Sequence, residues 1–251
     1  MTRSPEHAGR DALATWAIAL VLVAILVHVN ITLPWIGHLG SALVAVLFLY
    51  APVYVGWRRH EELEDYGFKI ERLGRDLAYA FGAIAAIFPL FALGYFAFYE
   101  IACHSQLLAH LVPRDMCSHY AGLGGVHAPS TSSLWKGWWD FAEFCLVQLV
   151  VVALPEELFF RGFLLELLER RFPPKRRLLG GGVGLALVLS SVAFALIHLP
   201  RYNGDPRELA IFFPGLLFGW MRSATGSILA STVTHGCSNI LIQLLNLSIL
   251  R

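Results

Sequence analysis

Apolar residues recur along this chain in runs long enough to cross a bilayer, which takes about 20 residues of helix. The first run covers 13–29 and the second 39–57, after Pro34 and Gly37 turn the chain. A charged stretch, RRHEELEDYGFKIERLGRD, leads into a third run at 77–99. The polar segment that follows, 103–136, is rich in Gly, Ser, His and Pro and is too long for a plain turn. The fourth run, 138–172, is longer than a bilayer requires, so its end should project into water before the basic PPKRR loop stops it. A fifth covers 183–199 and ends before Pro200. The sixth, 209–221, is short and holds Gly215-x-x-x-Gly219, a spacing that lets helices approach closely. The seventh covers 228–250. The pattern predicts an all-α fold: a polytopic transmembrane helix bundle of about seven spans, forming one membrane domain over 1–251.

Composition agrees with the pattern. Of the 251 residues 57% are hydrophobic and only 15% charged, against about 45–50% and 25% in soluble domains. The net charge of +1 comes from basic residues scattered between apolar runs, so it gives no surface for nucleic acid. Arg3 and Arg10 precede a first run longer than a signal-peptide core, with no A-x-A cleavage pattern after it, so it reads as a retained span.

Lysine and arginine set the orientation. Arg58, Arg59, Lys69, Arg72 and Arg75 lie between the second and third runs, and Arg170, Arg171, Lys175, Arg176 and Arg177 between the fourth and fifth. Two spans separate these loops, so both fall on one side, expected to be the cytoplasm. The N-terminus then lies inside, and the 103–136 segment and Arg251 outside. Cys103 and Cys117 share that outer segment and could pair in an oxidising compartment, whereas Cys145 and Cys237 read as small buried residues.

Three of the spans carry polar residues at membrane depth. PEELFFRG puts Glu156, Glu157 and Arg161 inside the fourth, FALIH ends the fifth at His198, and HGCSN puts His235 and Asn239 in the seventh. Glu157 and Arg161 are four apart and stack on one helical face. Glu156 lies about 100° round the helix and must point elsewhere. Left unpaired, two glutamates and an arginine would cost on the order of 8 kcal/mol, comparable to a whole fold's stability. They must therefore pair or face a hydrated cavity. A structural reading makes Glu157–Arg161 an intrahelical ion pair and a histidine a strut between helices. That leaves a second glutamate, a second histidine and an asparagine without a purpose.

Together the three elements resemble the CPBP family, which comprises CAAX-processing proteases of the Ras-converting-enzyme type and their bacterial Abi and bacteriocin-immunity relatives. The family is marked by E-E-x-x-x-R, F-x-x-x-H and H-x-x-x-N or D on separate transmembrane helices. Here these stand as Glu156-Glu157-x-x-x-Arg161, Phe194-x-x-x-His198 and His235-x-x-x-Asn239. The resemblance covers 156–239 and does not speak for the first three helices; the motif-bearing core would be about 138–250.

The resemblance implies a glutamic intramembrane endopeptidase in which Glu156 and His198 activate a water. His235 and Asn239 would stabilise the oxyanion, with Glu157, Arg161 and Phe194 in support. No cofactor is implied. A zinc site using Glu156, His198 and His235 is a rival, although H-E-x-x-H is absent, and so is a non-catalytic immunity or scaffold protein that binds a peptide. The expected partners are membrane lipids and a protein or peptide with a membrane-embedded or lipidated C-terminal tail. The topology opens the site at least as readily to the outside, which suggests a bacterial inner-membrane enzyme similar to the myxosortase-like members. The outer histidines His104, His110, His119 and His127 could gather such tails or be ordinary loop residues.

Overall fold

The computed structural model describes residues 5–33, 37–105, 137–202 and 204–249, and within the outer segment Leu108, Cys117, His119, Tyr120 and 122–126. Arg3, Pro34, His110, His127 and Arg251 lie outside the described residues.

The helices follow the apolar runs closely. They are α1 (Pro5–Leu26), α2 (Leu39–Arg59), α3 (Leu73–His104), α4 (138–171), α5 (Leu185–His198), α6 (Phe212–Thr225) and α7 (Leu229–Ile249). Three of these, α1 to α3, are each long and apolar enough to cross a membrane. Helix α4 is not uniform: π-helical stretches Val147–Ala153 and Leu158–Leu164 alternate with α-helical turns, among them Leu154–Glu157. Two short antiparallel pairs were not expected from the pattern. Thr32–Leu33 (β1) pairs with Gly37–His38 (β2), and Arg176–Leu178 (β3) with Gly181–Val183 (β4). The second is a hairpin whose turn holds Leu179 and Gly180 at positive φ.

The chain divides into two units, 1–80 with 150–233 and 81–149 with 234–251. In the first, α1, α2, α4 and α5 share one core. Ala8, Ala12, Ala19 and Val23 of α1, Phe48 of α2 and Phe159, Phe160 and Phe163 of α4 all belong to it. Phe48 packs on Phe159 and Phe160 at 5.0 and 5.5 Å between ring centres, and the Trp16 indole donates to the Ala193 carbonyl at 3.1 Å. The opposite faces of the helices are apolar too. Leu13, Ile18, Val21 and Ile25 of α1 are exposed, which suits lipid and not water. The Gly215–Gly219 spacing does what it predicts. A Cβ at Gly219 would stand 2.5 Å from Leu187 Cδ1, and one at Gly215 3.3 Å from Ser191 Cβ, so their absence lets α6 lie close on α5.

Helix α1 begins earlier than its apolar run, and an ion pair holds this polar N-terminal stretch. Asp11 pairs with the buried Arg59 at 2.5 Å, and Arg59 also reaches Glu61 at 3.1 Å. Glu61 takes Arg170 of α4 at 2.7 Å, Arg170 reaches Glu166, and Glu166 meets Arg222 of α6. This chain of alternating charges ties four helices together at the end where the basic loops lie. Tyr66, wholly buried against Phe163, donates its hydroxyl to Glu61 at 2.7 Å. Burial and that bond to Glu61 push the phenol's pKa up. Burial alone would raise Glu61, but the Tyr66 hydroxyl and the charges of Arg170 and Arg59 outweigh it and hold the carboxyl below the ordinary 4.5.

The second unit holds most of α3, the outer segment, the start of α4 and most of α7. Cys103 and Cys117 form a disulfide, which settles a pairing that spacing alone leaves open. Glu100 organises the chain beside it, accepting from the Tyr120 hydroxyl at 2.7 Å and from the Leu123 amide at 3.1 Å. His104 is engaged locally, with Nδ1 2.7 Å from the Glu100 carbonyl.

Candidate active site

The two adjacent glutamates of α4 part company. Glu157 is fully buried and meets Arg161 at 2.9 Å, one turn along, and Arg161 is itself 1% exposed. The structural reading of this pair therefore holds. The spacing did not reveal what else surrounds the guanidinium. Arg161 Cζ stands 3.8 Å over the Phe194 ring, 5.2 Å from Phe218 and 5.9 Å from Phe160. Three aromatic faces supply the cation with quadrupole attraction where water is excluded. Phe218 and Phe160 have no signature in the motifs; only their place among apolar residues near Gly219 and Glu157 is visible in the sequence.

Glu156 points away from this cage and keeps 14% of its side chain accessible. His198, at the end of α5, stands opposite, with Nε2 3.9 Å from Glu156 Oε2 and a similar exposure of 15%. That separation exceeds a direct hydrogen bond, and a single water could contact both atoms. The backbone orients the imidazole. Nδ1 lies 2.7 Å from the Phe194 carbonyl, a group that only accepts, so Nδ1 carries a proton and Nε2 is the ring nitrogen on the Glu156 side. Phe194 also meets the imidazole edge-on, 4.8 Å between ring centres. The F-x-x-x-H spacing thus brings together three contacts. The phenylalanine ring carries Arg161, its edge packs on His198, and its carbonyl holds Nδ1.

His235 and Asn239 lie on the part of α7 that belongs to the second unit. His235 is buried at 6% exposure. Asn239 Nδ2 donates to Gln148 Oε1 at 3.2 Å. Gln148 is absent from the motif set, although its signal was available: it is the one polar residue of the π-helical stretch VQLVVVA. The structure therefore pairs Glu156 with His198 and Glu157 with Arg161 in one unit, and Asn239 with Gln148 in the other. Among the described residues, no three His, Cys, Asp or Glu side chains are grouped to hold a metal.

Long apolar helices with exposed apolar faces define an integral membrane protein, and one that holds a carboxylate beside an imidazole. Residues 138–241 match the family described as Type II CAAX prenyl endopeptidase Rce1-like, a stretch that contains all three motifs. This part of the chain is similar to the Rce1-like CAAX prenyl endopeptidases, the same family that its three motifs resemble. No curated protein and no solved structure matches the chain.

Proposed function

We propose that the protein is a glutamate–histidine intramembrane endopeptidase that cuts near the C-terminus of a membrane-anchored protein. The observation that carries this reading is the Glu156–His198 pair, with Nε2 3.9 Å from the carboxylate and Nδ1 held at the Phe194 carbonyl. A water between the two acceptors donates one hydrogen to each and turns its own lone pair to the substrate. Its oxygen attacks the scissile carbonyl carbon while Glu156 takes the proton. Collapse of the tetrahedral adduct breaks the C–N bond, and the proton passes to the leaving amine. His235 and Asn239 serve as donors to the oxyanion, a role that rests on the family motif and on their being adjacent polar groups on one face of α7.

The substrate is a C-terminal anchor segment entering from the outer side of a bacterial inner membrane, as in the myxosortase-like members. Basic residues around the start of α3 and the Cys103–Cys117 disulfide at its end support that orientation. A reporter fused to the C-terminus that proves cytoplasmic would overturn the outward-facing part.

The direct test compares protein C-termini in cells carrying the wild-type chain and Glu156→Gln. An endopeptidase leaves uncut C-terminal anchors accumulating in the variant. Identical C-termini in both strains, with a partner still retained by the variant, would instead mark a binding protein.

A further inference from the structure

Helix α7 approaches α4 unusually closely at Gly236. A Cβ there would stand 2.5 Å from Leu149 Cδ2 and 3.1 Å from its Cα, so a side chain at 236 would collide with backbone-level atoms of α4. Asn239 is three residues on, over the same face of α7, and Gln148 precedes Leu149. The close approach therefore sets two carboxamides against each other in the half-buried space between the helices. The bond they form, Asn239 Nδ2 to Gln148 Oε1 at 3.2 Å, has a direction.

An asparagine amide can present either its oxygen or its nitrogen to a given side, and the two ends differ in chemistry. Only the nitrogen end can donate to an oxyanion. Gln148 lies in the π-helical stretch Val147–Ala153, a local widening of the kind often found at functional sites.

We propose that Gln148 is a positioning residue for the reaction: its carbonyl oxygen accepts one hydrogen of Asn239 Nδ2, fixing the amide so that the second hydrogen is free to donate to the oxyanion. The proposal rests on the oxyanion role given to Asn239 above. It makes an acceptor at position 148 a requirement of the chemical step and not of substrate binding.

The test uses the full-length protein in detergent or nanodiscs. The probe is a quenched fluorogenic peptide bearing an anchor segment that accumulates in the Glu156→Gln strain. Gln148→Met keeps length and apolar packing but removes the acceptor, and its kcat should fall by about 10-fold or more, with KM within about twofold. Gln148→Glu retains an acceptor oxygen but cannot present an amide N–H, and should recover most of that kcat. Combined with Asn239→Ala, Gln148→Met should cost nothing further.

Wild-type kcat in Gln148→Met, a loss confined to KM, no recovery in Gln148→Glu, or losses that multiply with those of Asn239→Ala would each overturn the assignment. Should Gln148→Met not fold, Gln148→Ala with the same Glu comparison decides the question. An active Asn239→Ala would remove the oxyanion role and the positioning role together. An inactive Asn239→Ala beside a fully active Gln148→Met would remove the positioning role alone.

Discussion

The guanidinium of Arg161 rests 3.8 Å over the ring of Phe194, and the same residue's carbonyl holds His198 Nδ1 at 2.7 Å. A phenylalanine is thus the joint between a fully buried ion pair and the imidazole of the candidate site. Its ring steadies the cation, and its backbone carbonyl holds the Nδ1 side of the imidazole.

Replacing that ring should expose the joint. Phe194→Leu removes the strongest cation–π face and should destabilise the protein more than Phe163→Leu, whose ring packs on Tyr66 instead. The excess should be about 1–2 kcal/mol. Thermal unfolding of the two variants in the same detergent measures the difference. Equal losses would mean that the aromatic cage contributes only ordinary packing.

The neighbouring glutamates should separate cleanly under mutation. Glu156→Gln should abolish cleavage and cost far less stability than the same change at its neighbour, because the direct ion pair to Arg161 is made by Glu157. Glu157→Gln should strand the buried Arg161 and cost about 3–5 kcal/mol of stability. Circular dichroism melts beside cleavage assays decide between this partition and a shared role for both carboxylates.

Acid should loosen the charge network on the basic-loop side. Glu61 is held below 4.5 in the folded protein, so its contribution is complete above that value and fades as pH falls through the lower folded value. Melting temperature should therefore drop as pH falls from near the ordinary carboxylate value through the lower folded one, and Glu61→Gln should flatten that drop while lowering stability at neutral pH. An unchanged acid profile in the variant would assign the sensitivity to other carboxylates.

Thiol chemistry offers a check on the outer segment. With Cys103 and Cys117 bonded, maleimide should label only Cys145 and Cys237 in denatured, unreduced protein, and all four cysteines after reduction. Mass spectrometry of the labelled chain counts them. Four labelled thiols without reductant would place the segment in a reducing compartment and reverse the orientation drawn from the basic loops.

Much of this was legible in the sequence because a bilayer makes hydrophobicity nearly the whole of the folding signal. Helix α4 was expected at 138–172 and runs to 171, and α2 was expected to begin at Leu39 and does. Spacing also separated Glu156 from Glu157, since adjacent helical residues cannot share a face. What stayed hidden was set by contacts distant in the chain. The polar first turns of α1 are tied down by Asp11 meeting Arg59, 48 residues away. The aromatic cage draws Phe218 from a different helix, and Gln148 acquires a partner only because Gly236 lets α7 close in. The hairpin of β3 and β4 was hidden for another reason: its LLGGG stretch reads as apolar run and loop at once.

The second π-helical stretch, Leu158–Leu164, lies between the glutamates and the charged end of α4. It fixes the angular phase between the candidate site and the residues Glu166 and Arg170, which must meet Glu61 and Arg222. Deleting one residue there would turn everything beyond it by about 100° while leaving composition and hydropathy almost untouched. Such a deletion should produce a chain that still inserts in the membrane, yet cannot satisfy its ion pair and its charge network at the same time.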